Sequence, residues 1–203
     1  MIRMKRNPAL PFVAIVCLLI GCATQKFAGV EEYKQLTREA QAAVQGSLRA
    51  LEQINDNAGH CTPKMIADFA HELQRLQVDS IRVRARTRAI RARGDAYFAS
   101  WSESIANIKD HRVRESVDRH RPELEASFSK IKLASQRGGA AFDPFLAGLL
   151  KLRVELELRP GDLVQDPDRK LMRDTLENGR QVLKELDLID SELLSMKKIV
   201  SAN

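Results

Sequence analysis

From Ile66 to Ile108, apolar side chains return every three or four residues, through Phe69, Leu73, Leu76, Val83, Ile90, Tyr97 and Trp101. That spacing draws one apolar stripe along a helix and cannot form the alternating face of a strand. Thr62 and Pro63 precede the stripe as an N-cap and a first helical residue, where a proline loses no needed donor. The run predicts one helix of over 40 residues, roughly 65–70 Å long.

Three further segments repeat the pattern. Residues 29–55 carry Val30, Tyr33, Ala40, Val44, Leu51 and Ile54, with Thr37 and Ser47 filling the gaps. A segment from about Arg112 to Leu158 passes Val117, Leu124, Phe128 and Ile131. Pro122 should kink it by removing a backbone donor. Gly138 and Gly139, followed by Asp143-Pro144, predict a break and a fresh start between residues 138 and 143. The last segment, residues 168–200, repeats at Val182, Leu186, Ile189, Leu193 and Met196.

Nothing alternates at period two, and Gly and Pro together fill only 17 of 203 positions. The expected fold is therefore all-α: an elongated antiparallel helical bundle or coiled-coil hairpin. The second and third segments are longer than the first and fourth. A four-helix body should thus give way to a protruding two-helix tip over residues 93–127.

The N-terminus reads as an address. Arg3, Lys5 and Arg6 stand in residues 1–7 without an acid, and residues 9–20 carry no charge. That apolar stretch is too short for a bilayer helix, which needs about 20 residues, and fits a secretory signal. Leu19-Ile20-Gly21-Cys22 resembles the lipobox of bacterial lipoproteins. The resemblance implies a signal peptide over residues 1–21, cleavage between Gly21 and Cys22, and diacylglycerol and palmitate on Cys22. Residues 22–28 become a lipidated tether and residues 29–203 a single helical domain. Two or three acyl chains anchor stably where one does not. Ala23 rather than Asp after the cysteine favours the outer membrane, facing the periplasm. The returning second helix overshoots the start of the first by about 17 residues, or about 25 Å, so the tip is expected at membrane level, or else the body lies along the bilayer.

Cleavage removes three bases and no acid, taking the formal charge from +6 to +3. Cys17 leaves with the signal and Cys22 is acylated, so Cys61 remains as the free thiol and no intramolecular disulfide is expected. His60 beside it gives two ligands, too few for a zinc site.

Arg82, Arg84, Arg86, Arg88, Arg91 and Arg93 place six arginines in twelve residues, with no acid between Asp79 and Asp95. At 100° per residue they flank the seam of Val83, Thr87 and Ile90 as e and g positions do. Residues 143–192 hold twelve acids and eight bases. A charge zipper between the arginines and Glu185, Asp190 and Glu192 is the first expectation; contact with an anionic polymer or lipid headgroup is the second. At the tip, Tyr97, Phe98 and Trp101 should form the core of the hairpin, or else an exposed aromatic surface for a partner or membrane. Lys109, Arg112 and Arg114 belong to a turn, residues 109–121, with five bases against three acids, which suits an anionic surface.

Ala96-Tyr97-Phe98-Ala99-Ser100-Trp101, the basic turn and Phe142-Asp143-Pro144-Phe145-Leu146 together resemble a family of uncharacterised bacterial helical lipoproteins, a domain of unknown function. The shared features are Phe-x-x-Trp, the aromatic heptad at Phe128 and Ile131, and apolar-x-Pro-apolar-Leu, over roughly residues 81–158. Ser100 and Ser102 stand where that family prefers acids, and residues 157–161 replace a Lys-His-Asn-type segment. The resemblance implies a fold and an address but no activity.

P-loop, G-x-S-x-G, C-x-x-C and H-E-x-x-H motifs are absent. His60, His71, His111 and His120 are scattered, and Glu155 and Glu157 fall on different helix faces. No catalytic residue, metal, cofactor or nucleic-acid partner is expected. The reading is a non-enzymatic, lipid-anchored scaffold or interaction module with an unidentified envelope protein partner. The alternatives are a peripheral binder of anionic lipid or envelope polymer, acting through the tip and the arginine-rich helix, and a periplasmic holdase chaperone.

Overall fold

The computed structural model describes residues 12–160 and 165–201, with residues 12–28 described by backbone alone. The basic segment at residues 1–7 lies outside the described residues. Within them all regular structure is helical: α1 (Phe12–Asp56), α2 (Pro63–Ala99), α3 (Trp101–Ala106), α4 (His111–Arg119), α5 (Arg121–Leu158) and α6 (Asp166–Ser201). The all-α bundle expected from the spacing is what forms.

α1, α2, α5 and α6 run up and down in a ring. α5 and α6 share the most extensive interface, α1 packs on both α2 and α6, and α2 and α5 meet only lightly. Ion pairs fix the register around the ring. Glu32 of α1 meets Arg93 of α2 at 2.8 Å, Glu31 of α1 meets Lys197 of α6 at 2.6 Å, and Lys130 of α5 meets Glu192 of α6 at 3.0 Å. α1 therefore begins at the end where α2 finishes, beside α3 and α4. Cys22 stands ten residues before Glu32 in the same helix, about 15 Å of rise toward that end.

The core has two parts. One clusters Leu51, Ile54, Phe69, Leu73, Phe145, Leu149 and Met172 in the half away from α3 and α4. The other joins Tyr33, Leu36, Ile90, Ile131, Ile189 and Leu193 nearer to them. Thr37 and Ser47, expected to fill gaps in the stripe, are buried and return their hydroxyls to the carbonyls of Tyr33 and Ala43 at 2.9 and 3.1 Å. That bond removes the cost of burying them. Thr62 caps α2 as predicted, its hydroxyl accepting from the Met65 N–H at 3.3 Å.

Three boundaries differ from expectation. α1 starts at Phe12 rather than near Gly29, because between them stand no proline and only one glycine, Gly21, to oppose helix. The expected tether at residues 22–28 is thus part of α1. The second helix is not continuous to Ile108: it breaks at Ser100, whose hydroxyl turns back to the Tyr97 carbonyl at 3.3 Å. A serine bonding back in this way bends a helix. The third segment breaks at His120, and Pro122 sits in the first turn of α5, where its missing N–H is harmless.

The predicted break between residues 138 and 143 does not form. α5 runs unbroken through Gly138, Gly139 and Pro144. Ile131 and Ala134 before that stretch, and Phe145, Leu149, Leu152 and Leu156 after it, are all buried. Packing both halves of one helix against α6 outweighs the single backbone bond that Pro144 removes.

Candidate functional site

The arginine-rich run lies on α2 between its packed lower half and the kink at Ser100. Arg82 pairs with Glu39 of α1 at 3.0 Å and with Asp79 at 3.1 Å, and Arg93 pairs with Glu32 of α1. Arg84 pairs with Asp143 of α5 and lies over the Phe142 ring, 5.0 Å from its centroid. Arg86, Arg88 and Arg91 form no ion pair among the described residues.

The expected zipper to α6 is therefore corrected. Glu185 is 3% exposed and is held by Arg137 of α5 at 3.0 Å and by Gln181 at 2.8 Å. Glu192 goes to Lys130 of α5, and Asp190 has no ion-pair partner among the described residues. The physical reason is the ring order: α2 and α6 stand on a diagonal, so the acids of α6 meet the bases of α5 instead. Three arginines are left without the carboxylates that the sequence suggested for them.

At the other end of α2 the aromatic residues are mutually packed. Trp101 is 3% exposed and its indole N–H donates to Asp118 of α4 at 3.3 Å. Tyr97 packs edge-on to Trp101 at 5.2 Å, and Phe98 tilts against Phe128 of α5 at 5.4 Å. Tyr97 and Phe98 are partly buried. The rings thus pack against one another, with Trp101 tied to α4 and Phe98 set against α5. Lys109 and Arg112 are exposed and Arg114 is half-buried. Asp110 accepts from the Arg112 N–H at 2.9 Å, which starts α4.

Gly21 and Cys22 lie in the α1 backbone. Cys61 is buried, its thiol donating to the Asn57 carbonyl at 3.3 Å, and burial pushes its pKa up. A thiol so placed is a weak nucleophile. Among the described residues, no group of His, Cys, Asp and Glu could hold a metal ion, and no helix is long and apolar enough to cross a membrane.

Two features were not built up from the sequence. The first is a cavity of about 310 Å³ between the two core clusters, lined in part by Arg88 and Arg91. The small-residue run at residues 134–141, with Gly138 and Gly139, signals a ligand cavity only weakly, since its other walls come together only when the register is fixed. The second is an exposed stripe on α5: Leu150, Val154 and Leu158 are 37%, 52% and 72% exposed. Each stands four residues from the next, so they share one face. Compared with known proteins, the chain matches no family model, no curated protein and no solved structure.

Proposed function

We propose that this chain is a lipid-anchored protein of the bacterial cell envelope, acylated at Cys22, that acts as a non-enzymatic scaffold or protein-interaction module. Its place is the outer membrane, facing the periplasm. The observation that carries the interaction role is the stripe of Leu150, Val154 and Leu158. A bundle with a packed core gains nothing from showing water an apolar line two turns long, and such patches mark contact surfaces. The stripe lies toward the end of the bundle opposite α3 and α4, while Cys22 lies toward the same end as they do. An anchor at one end and an apolar face toward the other is the layout of a protein that reaches from a membrane to a partner.

The test compares affinity capture from envelope extracts by the wild-type chain and by a Val154→Glu, Leu158→Glu variant. One protein should be recovered in stoichiometric amount with the wild type and lost with the variant. Capture of the same material by both would defeat the assignment.

A second reading rests on a separate observation. Arg86, Arg88 and Arg91 lack ion-pair partners among the described residues, and exposed Lys109 and Arg112 stand at the end that Cys22 approaches. Basic side chains near an anchored end suit an anionic lipid or envelope polymer. Salt-sensitive binding to anionic vesicles, lost when Lys109 and Arg112 are made neutral, would favour it.

A further inference from the structure

α2 and α5 meet only lightly, at an upper and a lower contact, with Ile90 between these in one core cluster with Ile131 and Ala134. At the upper place, Gly94 lies so close to Phe128 that a Cβ would be 3.2 Å from ring atom Cε1, and Lys132 pairs with Asp95 at 2.7 Å. At the lower place, Arg84 pairs with Asp143 and covers Phe142. Ten residues of α2 separate Arg84 from Gly94, about 15 Å of helix. Through that window the 310 Å³ cavity opens from the interior of the bundle.

Small residues line the window over two turns of α2. Ser80 and Thr87 of α2 face Ser135, Gly138 and Gly139 of α5, with Ala40 of α1 behind them. Gly139 has nothing within 4 Å of where a Cβ would stand. The floor is apolar, with Val44, Leu76, Val182 and Ile189 from three helices. Polar groups stand along its length, with Asp79, Ser80 and Arg84 on α2, Ser135 and Asp143 on α5 and Glu185 on α6. Tyr33 and Ser135 share a hydrogen bond of 2.8 Å across the bundle, and Arg91 is near enough to act on the Tyr33 hydroxyl.

Charge at the rim is one-sided. Of the acids lining the cavity, Asp79 is matched by Arg82, Asp143 by Arg84 and Glu185 by Arg137. Arg88 and Arg91 have no such match among the described residues. The site is thus an apolar chamber with two uncompensated guanidinium groups at its mouth. Ligand pockets span about 300–1,000 Å³ and combine apolar walls with a few placed polar groups. This one has the volume for a single alkyl chain rather than a two-chain lipid, and guanidinium groups suit carboxylate or phosphate.

We propose that the cavity between α2 and α5 binds a single-chain anionic amphiphile, its alkyl chain among Val44, Leu76 and Val182 and its acidic head at Arg88 and Arg91. A fatty acid and a lysophospholipid share this chemistry. The site does not depend on the partner surface at Val154, and losing either leaves the other standing.

The test uses the full chain in isolated membranes and a palmitate analogue carrying a diazirine and a terminal alkyne. After irradiation, adducts should fall in residues 76–91 and 134–142 and be competed by excess palmitate or lysophosphatidate but not by hexadecanol. Competition by only one of the two acids names the natural source. Arg88→Gln with Arg91→Gln should cut adduct yield at least tenfold. Gly139→Leu should do the same while raising Tm, since leucine favours helix over glycine and its side chain would occupy the window. A higher Tm separates blocking from misfolding. Adducts confined to other residues, equal competition by hexadecanol, or undiminished labelling of Gly139→Leu would overturn the assignment.

Discussion

Gly148 of α5 and Thr175 of α6 meet so closely that a Cβ on the glycine would stand 3.1 Å from the threonine Cβ and nearer still to its hydroxyl. Nine residues earlier on the same helix, Gly139 has nothing within 4 Å. The two glycines mark the closed and open sides of one bundle. α5 is pressed against α6 and stands off from α2.

That contrast predicts opposite outcomes for one substitution. Gly148→Ala should cost about 1–3 kcal/mol through overpacking against a β-branched neighbour. Gly139→Ala should stabilise by up to about 1 kcal/mol through helix propensity. Thermal or urea unfolding of the two variants beside the wild type checks both signs.

The end of α5 is tied to the start of α6 by Arg159, whose guanidinium reaches Glu155 at 2.8 Å and both oxygens of Asp168 at 3.0 Å. Those two acids raise the Arg159 pKa above its usual range. Asp168 is 6% exposed, so deleting the arginine leaves a buried carboxylate unmatched. Arg159→Leu should lower Tm clearly, and Arg159→Lys should recover only part of the loss because an ammonium is more strongly hydrated than a guanidinium and costs more to bring to the buried Asp168. Equal melting of all three forms would contradict this role.

Cys61 gives a pH-dependent prediction. Burial raises its pKa in the folded chain, whereas the unfolded thiol ionises near pH 8.5, to within about a unit. The unfolded state thus loses its proton first, and stability should decline as pH rises from that value toward the folded pKa. In the same range the native thiol should react with iodoacetamide far more slowly than the thiol in denaturant. Stability and reactivity are read from unfolding curves and mass spectrometry at pH 7, 8 and 9. Equal labelling rates for native and denatured protein would refute the burial argument.

The anchor has its own test. Cys22→Ala should abolish metabolic palmitate labelling and leave the chain unprocessed or unanchored. Palmitate retained on the variant would end the lipoprotein assignment.

Much of the fold was legible because helical periodicity is local. The stripe from Ile66 through Ile90 and the cap at Thr62 follow from spacing and capping alone. Breaks were harder, since they depend on competition between a local defect and a distant surface. Pro144 looked like a restart, yet the rows from Ile131 to Leu156 hold α5 together against α6. Ser100 carried no strong breaker signal, and α2 ends there. The zipper failed for a different reason. Periodicity reveals which face of a helix is apolar but not the order of helices around a ring, and that order puts Glu185 beside Arg137 instead of the α2 arginines. The cavity was only weakly signalled, by the small-residue run at residues 134–141, because Ser80, Gly139 and Ala40 become neighbours only when the register is fixed. The packing of Tyr97, Phe98 and Trp101 against one another was one of two outcomes legible in the sequence, and the bond from Trp101 to Asp118 was not.

The proposed engagement of a protein through the exposed stripe of α5, with the anchor toward the opposite end, is tested by photo-crosslinking in living cells from a probe at Val154, with a second probe at Asn107 beside α3. One discrete protein adduct is expected from Val154, absent when Leu158 is changed to Glu. Adducts to lipid or glycan alone from both positions, with no protein from Val154, would contradict it.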